Sequence, residues 1–202
     1  VYSNTGGQAS TASFLGQDAK MAAFGQEAYG KRERRKELSQ ICLMHPDVYV
    51  AQTTPAHINH FYKAIIEANA YTGPAVINVY TTCQPEHGVP DCNSARQAKL
   101  AVEARAFPLF IYDPRKGEKI RQRLSLVGNP AQKEDWWMPP KRDKPVTFID
   151  FAHTEGRFAK QFDKERAPQR VLRLSLCKGG QIEPSCLGGE RTGIGKILAR
   201  TH

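Results

Sequence analysis

Three short runs of apolar and β-branched residues restrict the folds open to this chain more than any other feature. They are "DVYVAQT" (47–53), "PAVINVYTT" (74–82) and "FPLFIYD" (107–113). Each has the length and composition of a buried strand. The stretches between them have helical spacing. "TPAHINHFYKAIIEANAYTG" opens on Thr54 as a cap, has Pro55 in its first turn and ends at Gly73. "SARQAKLAVEARA" (94–106) follows a loop, "CQPEHGVPDCN" (83–93). Strands alternating with helices predict βαβ units, and so an α/β fold with a parallel sheet and helices on both faces. In such sheets ligands gather beyond the carboxyl ends of the strands.

Two stretches precede this core. "FLGQDAKMAAFGQEAYG" (14–30) has apolar and small residues at helical spacing and stops at Gly30, and "RERRKELSQICLMH" (32–45) reads as a second helix. Beyond residue 113 the character changes. Residues 114–145 are rich in Pro, Lys and Arg and read as a surface extension anchored by Trp136 and Trp137. A helix over 146–165 offers Phe148, Phe151, Phe158 and Phe162 for docking. From Arg166 onward no period persists, and a basic, disordered tail is expected. The expected organisation is therefore 1–113, an α/β region; 114–165, an irregular extension with a docking helix; and 166–202, the tail.

The 202 residues are 40% hydrophobic and 24% charged, ordinary proportions for a globular protein. No run is long and apolar enough to span a membrane, and the first residues do not form a secretory signal. The net charge of +9 is concentrated in "KRERRKE" (31–37) and in the tail. No aromatic residues interleave with these bases, so a solvated helix start and a polar tail are favoured over a nucleic-acid surface. Five scattered cysteines, at 42, 83, 92, 177 and 186, do not form a disulfide framework and leave ligand or buried-thiol roles open.

Two features could carry chemistry, and both fall at carboxyl ends of expected strands. "VYSNTGGQAS" (1–10) reads as a strand end at Val1 and Tyr2, a turn at Ser3 and Asn4, and then Thr5, Gly6 and Gly7. A glycine pair there can present backbone N–H groups to a phosphate, although such a turn is commonly structural. Cys83 ends the second run, where a thiolate could bind a metal or cluster and where a free buried thiol is equally consistent. A zinc site from Cys83, His87 and Cys92 would lack a fourth ligand at recognised spacing. His57 and His60 share a helix face without evident carboxylate partners, which favours an ordinary structural role.

Taken in order, "VYSNTGGQAS", "DVYVAQT", "EANAYTGPAVINVYTTC" and "AFPLFIYDPR" resemble the C-terminal, thiamine-diphosphate-binding region of 2-oxoacid:ferredoxin oxidoreductases, in particular the pyruvate:ferredoxin (flavodoxin) oxidoreductases. "GNPAQKEDWW" and "FAHTEGRFAKQFD" resemble a branch of the same family. The resemblance implies a partial doubly wound parallel sheet of the thiamine-diphosphate-binding fold. It further implies that the Val1 carbonyl binds Mg2+, that Tyr2, Thr5 and Gly6 line the diphosphate and metal, and that Asn4 faces the reactive carbon as the catalytic residue. Cys83 matches the last ligand of the [4Fe–4S] cluster nearest the thiamine. The remaining magnesium ligands and three cluster cysteines would lie ahead of residue 1, so the chain is expected to be an inactive fragment by itself. The implied chemistry is oxidative decarboxylation of a 2-oxoacid, most simply pyruvate, with coenzyme A. Electrons would pass through clusters to ferredoxin or flavodoxin. The resemblance also implies a cytoplasmic, homodimeric parent enzyme. The competing expectations are a non-catalytic basic binding module and an inactive remnant of the fold.

Overall fold

The computed structural model describes residues 10–21, 30–130, 138–140 and 143–162. Its centre is a four-stranded sheet in the order β2-β1-β3-β4, built from β1 (Tyr49–Thr53), β2 (Ala75–Val79), β3 (Phe110–Tyr112) and β4 (Leu124–Ser125). The helices are α1 (Leu38–Cys42), α2 (Ile58–Asn69), α3 (Gln84–His87), α4 (Ser94–Glu103), α5 (Ile120–Arg123), α6 (Phe148–His153) and α7 (Ala159–Phe162). None is long and apolar enough to cross a membrane among the described residues.

All five residues of β1 are buried, as its continuous apolar character requires for a strand covered on both faces. Because successive side chains point to opposite faces, the strand feeds two different cores. Tyr49 and Ala51 pack with Ala64 of α2, Ile111 and Ile77, so α2 covers that face. Val50 joins Phe110 and Tyr112 on the other face, against Cys42 of α1, Leu43, Leu124 and Leu126. The α/β fold with helices on both faces is thus realised.

The pairing within the sheet is mixed. β1 and β2 are parallel, from Tyr49 opposite Ala75 to Thr53 opposite Val79, as the intervening α2 dictates. β3 instead runs antiparallel to β1, with Val50 opposite Tyr112, and β4 is antiparallel to β3. The parallel arrangement expected throughout therefore holds only for the first pair. The cause lies in α4, whose Ala98 and Ala101 pack with Phe151 and Phe158 in a separate core. Since α4 docks there and does not retrace the sheet, β3 enters beside the carboxyl end of β1.

That third core lies off the sheet and is aromatic. Phe14, Phe107, Phe151 and Phe158 meet Tyr80, Val146 and the alanines of α4. Phe14 is 5.8 Å from Phe151 and 6.2 Å from Phe158, centroid to centroid. Several expected helices are shortened by this packing. Residues 14–21 form turns, because Gly16 takes φ +78 and its N–H donates to the Lys31 carbonyl at 2.7 Å. The basic stretch 32–36 is irregular, and only Leu38–Cys42 is helical. The expected helix over 146–165 breaks into α6, a single 3-10 turn and α7 around Glu155 and Gly156. Thr54 does not cap α2, which begins after His57 without a side-chain cap. Trp136, Trp137 and the tail lie outside the described residues.

Candidate functional site at the strand ends

β2 delivers its chain to the carboxyl edge of the parallel pair. Tyr80 N–H donates to the Thr53 carbonyl at 2.9 Å, which extends the pairing one residue past the strand. Thr82 and Ser94 then share a hydroxyl hydrogen bond of 2.5 Å. Cys83 follows in an extended conformation and opens the one-turn helix α3, with Pro85 in its first turn. Its thiol is free and half-buried. Gly88 ends the turn at φ +65, and a Cβ built there would lie 2.8 Å from the Gly156 Cα. Only glycine satisfies both the left-handed backbone and this contact.

His87 is fully buried beneath Cys83. Its Nδ1 faces the Cys83 amide at 3.3 Å, and its Nε2 faces Arg157 Nη1 at 3.2 Å. Arg157 belongs to a buried polar network that the sequence patterning did not reveal. Glu155 pairs with Arg157 Nε and accepts from the Tyr80 hydroxyl at 3.2 Å and from Gln97 Nε2 at 3.0 Å. Arg157 Nη1 also donates to Gln17 Oε1 at 3.1 Å, and the Arg157 carbonyl accepts from Asp18 N–H at 2.8 Å. Tyr80 is held neutral, its hydroxyl pushed well above the usual range by burial and by the Glu155 carboxylate. The one available signal was local: "EGR" sets two opposite charges around a glycine inside an otherwise aromatic segment.

The end of β1 contributes a second group. His60 Nδ1 lies 2.9 Å from the Thr53 hydroxyl. Burial lowers the pKa of His60, and the neighbouring His57 and Lys63 add to the effect. His57 is lowered as well, by burial first and then by Lys99. Burial thus favours the neutral form of both rings; His60 faces the Thr53 hydroxyl, while His57 Nε2 is buried with no hydrogen-bond partner among the described residues.

Upstream, Lys31 fastens residues 10–13. Its buried ammonium donates to the carbonyls of Ser10 and Ser13, each at 2.9 Å, and to that of Thr11 at 3.4 Å. Burial lowers its pKa, and the three carbonyls supply the hydration the ion gave up. In the sequence these residues directly follow the stretch 1–9. Val1, Tyr2, Asn4, Thr5 and Gly6 themselves lie outside the described residues, as do Cys177 and Cys186.

Cys83 is thus the sequence-selected site residue that can be located. Cys42 packs under the sheet, and Cys92 is exposed in the turn before α4. Among the described residues no three His, Cys, Asp or Glu side chains converge on a point that could hold a metal ion. The zinc site considered from Cys83, His87 and Cys92 does not form, because both His87 nitrogens are turned to protein neighbours. The Cys83 thiol is a soft donor of the kind that zinc and iron–sulfur sites use, and by itself it is a single donor at this strand end.

A sheet covered by helices on both faces, with polar side chains at the carboxyl edge of a parallel pair, belongs to the class of α/β folds that bind ligands at strand ends. No protein-family model matches the chain. It is 42% identical over 130 residues to the probable pyruvate-flavodoxin oxidoreductase of Escherichia coli K12, covering 64% of this chain and 11% of that protein. The pyruvate:ferredoxin oxidoreductase of Moorella thermoacetica is 40% identical over 187 residues, 91% of this chain and 14% of its own length. The pyruvate-flavodoxin oxidoreductase of Rhodospirillum rubrum is 35% identical over 175 residues, 86% and 13% of the two lengths. The chain belongs, as a partial region, to the family of pyruvate:ferredoxin and pyruvate:flavodoxin oxidoreductases, and it spans between 11% and 14% of the length of these relatives.

Proposed function

We propose that the chain is the distal part of the thiamine-diphosphate-binding region of a pyruvate:ferredoxin or pyruvate:flavodoxin oxidoreductase. The observation that carries this reading is the position of Cys83. It is a free thiol at the carboxyl end of a parallel strand, at the mouth of a one-turn helix, in a chain similar to these enzymes over up to 91% of its length. In the complete enzyme Cys83 would supply one thiolate to a [4Fe–4S] cluster, and upstream cysteines would supply the others. Val1, Tyr2, Asn4, Thr5 and Gly6 would form the second half of a magnesium and thiamine diphosphate site.

The cofactor when bound would supply the electron sink for decarboxylating a 2-oxoacid. The contribution of this chain is orientation and polarity. Asn4 would place an amide where charge develops on the substrate oxygen, a form of stabilisation that needs a fixed donor. Lys31 supports that role by tying down residues 10–13, so the chain leaving the turn is anchored within a few residues of it. Coenzyme A and a ferredoxin or flavodoxin would be the remaining participants.

Isothermal calorimetry with thiamine diphosphate and Mg2+ tests this reading. The 202-residue chain alone should show no micromolar binding, while the polypeptide extended through the upstream coding sequence should bind. Micromolar binding by the chain alone would contradict the assignment of half a site to it.

A further inference from the structure

β1 and β2 have the same kind of sequence and different surroundings. "YVAQT" is buried at all five positions, as a strand inside a sheet should be, whereas no position of "AVINV" is buried and Val79 is 37% exposed. The reason is the place of β2: among the described residues it is the outermost strand on its side of the sheet. Its ladder shows which groups that leaves over. Tyr49 N–H donates to the Pro74 carbonyl at 3.0 Å, and Tyr80 N–H donates to the Thr53 carbonyl at 2.9 Å. In the parallel register, with Tyr49 opposite Ala75 and Thr53 opposite Val79, β1 therefore bonds to Pro74, Val76, Asn78 and Tyr80. The N–H and C=O groups of Ala75, Ile77 and Val79 point the other way, along the outer edge. Sheets ordinarily guard such an edge with a charge, a proline, a bulge or a very short strand. β4, at the opposite edge, is guarded: it is two residues long and follows directly on Arg121 and Arg123. β2 has neither charge nor proline in its five residues, and it pairs with β1 without a bulge.

We propose that the outer edge of β2 is the docking site for a strand of the parent polypeptide, the one that leads into Val1 and Tyr2, added parallel to β2 through main-chain hydrogen bonds. Three observations select this occupant. An unguarded apolar edge calls for a permanent neighbour. The relatives extend well beyond this chain, which spans between 11% and 14% of their length. Val1 and Tyr2 have the character of a strand end, with turn residues after them. The occupant and its direction rest on the proposed function: a turn that serves the same cofactors as Cys83 lies at the carboxyl edge of β2, and a strand ending there runs parallel to it. The docked strand lies one strand spacing, about 4.8 Å, from β2. It covers the outer edge and brings the two halves of the proposed site to one side of the sheet.

Hydrogen exchange read amide by amide, by mass spectrometry with electron-transfer fragmentation, tests the docking. In the 202-residue chain the Val76, Asn78 and Tyr80 amides should be slow. Those of Ala75, Ile77 and Val79 should be at least about fivefold faster, the difference one ordinary hydrogen bond makes. In the polypeptide extended through the upstream coding sequence, the Ile77 and Val79 amides should slow to the level of their neighbours. The Ile111 amide, inside the sheet, is the control and should not change. Val79→Pro removes an outward donor and no bond to β1, so the 202-residue chain should keep its fold. In the extended polypeptide the same variant should make the Ile77 amide fast again. Unchanged fast exchange at Ile77 and Val79 in the extended polypeptide would overturn the proposal, as would protection already present in the 202-residue chain. Protection of the extended polypeptide that disappears on dilution would assign the edge to a second copy and overturn it as well. Should Val79→Pro fail to fold, the comparison of the two wild-type proteins decides alone. The exchange pattern needs no cofactor: thiamine diphosphate binding by the chain alone would end the half-site reading and leave this result standing, and failure of the docking leaves the calorimetric test untouched.

Discussion

The two faces of the sheet and the aromatic core beside it are stabilised in different ways. The sheet cores are small and local: Tyr49, Ala51, Ala64 and Ile111 on one face, Val50, Phe110 and Tyr112 on the other. Their geometry follows from strand alternation and one crossover helix. The aromatic core draws on residues as distant as Phe14, Phe107 and Phe158, and it encloses a charged pair, Glu155 and Arg157, each 3% exposed or less. Apolar patterning suffices to build the sheet. The neighbouring core forms only when distant segments bring partners to buried charges, and such charges penalise every arrangement in which they are unpaired. Cys83 lies where the two regions meet, with the sheet delivering it and the charged core holding His87 beneath it.

The largest expected effect comes from breaking the pair. Glu155→Ala leaves the Arg157 guanidinium buried without its counter-ion and should cost about 3–5 kcal/mol in urea denaturation. Hydrogen exchange then sharpens the contrast: amides of α6 should exchange faster while those of Val50 and Ile111 keep their protection. Equal loss in both regions would mean that they fold as one unit. Next comes Ile111→Ala, which opens a cavity under α2 and should cost about 2–4 kcal/mol by the same measurement.

Much of the sheet was readable in the chain. The runs at 47–53 and 74–82 gave β1 and β2 within two or three residues, and "TPAHINHFYKAIIEANAYTG" gave the helix joining them. Their order, however, does not determine the direction of β3. That depends on whether α4 returns over the sheet, and Ala98 and Ala101 are small enough to dock on either surface. Over 14–21, the described part of the helix expected at 14–30, turns stand in its place for a comparable reason: Gly16 and Gly30 both adopt positive φ to pass each other, a tertiary contact invisible to periodicity. Within the candidate site, Cys83 was recognisable because a strand end is a local feature. The network of His87, Glu155 and Arg157 was not, since His87 lies 70 positions from Arg157 and each alone resembles a surface residue.

The smallest expected effect concerns the strand-end histidines. His57 and His60 have folded-state pKa values below the ordinary histidine value, so the fold favours their neutral forms. Their contribution is complete above the unfolded value of about 6.5 and is lost as pH falls through it. The thermal midpoint should therefore decline between pH 7.5 and 5.5, and His60→Asn should flatten part of that decline. A midpoint rising over this interval would contradict the burial of these rings, whereas Glu155→Ala should leave the slope in place because its pair lies in the other region.

Low-temperature electron paramagnetic resonance of the reduced polypeptide, extended through the upstream coding sequence and reconstituted with iron and sulfide, tests the central claim most directly. Cys83→Ser should abolish or reshape the signal of one [4Fe–4S] cluster, and Cys42→Ser, which alters a thiol packed under the sheet, should leave every signal intact. Full retention of all cluster signals in Cys83→Ser would contradict the account.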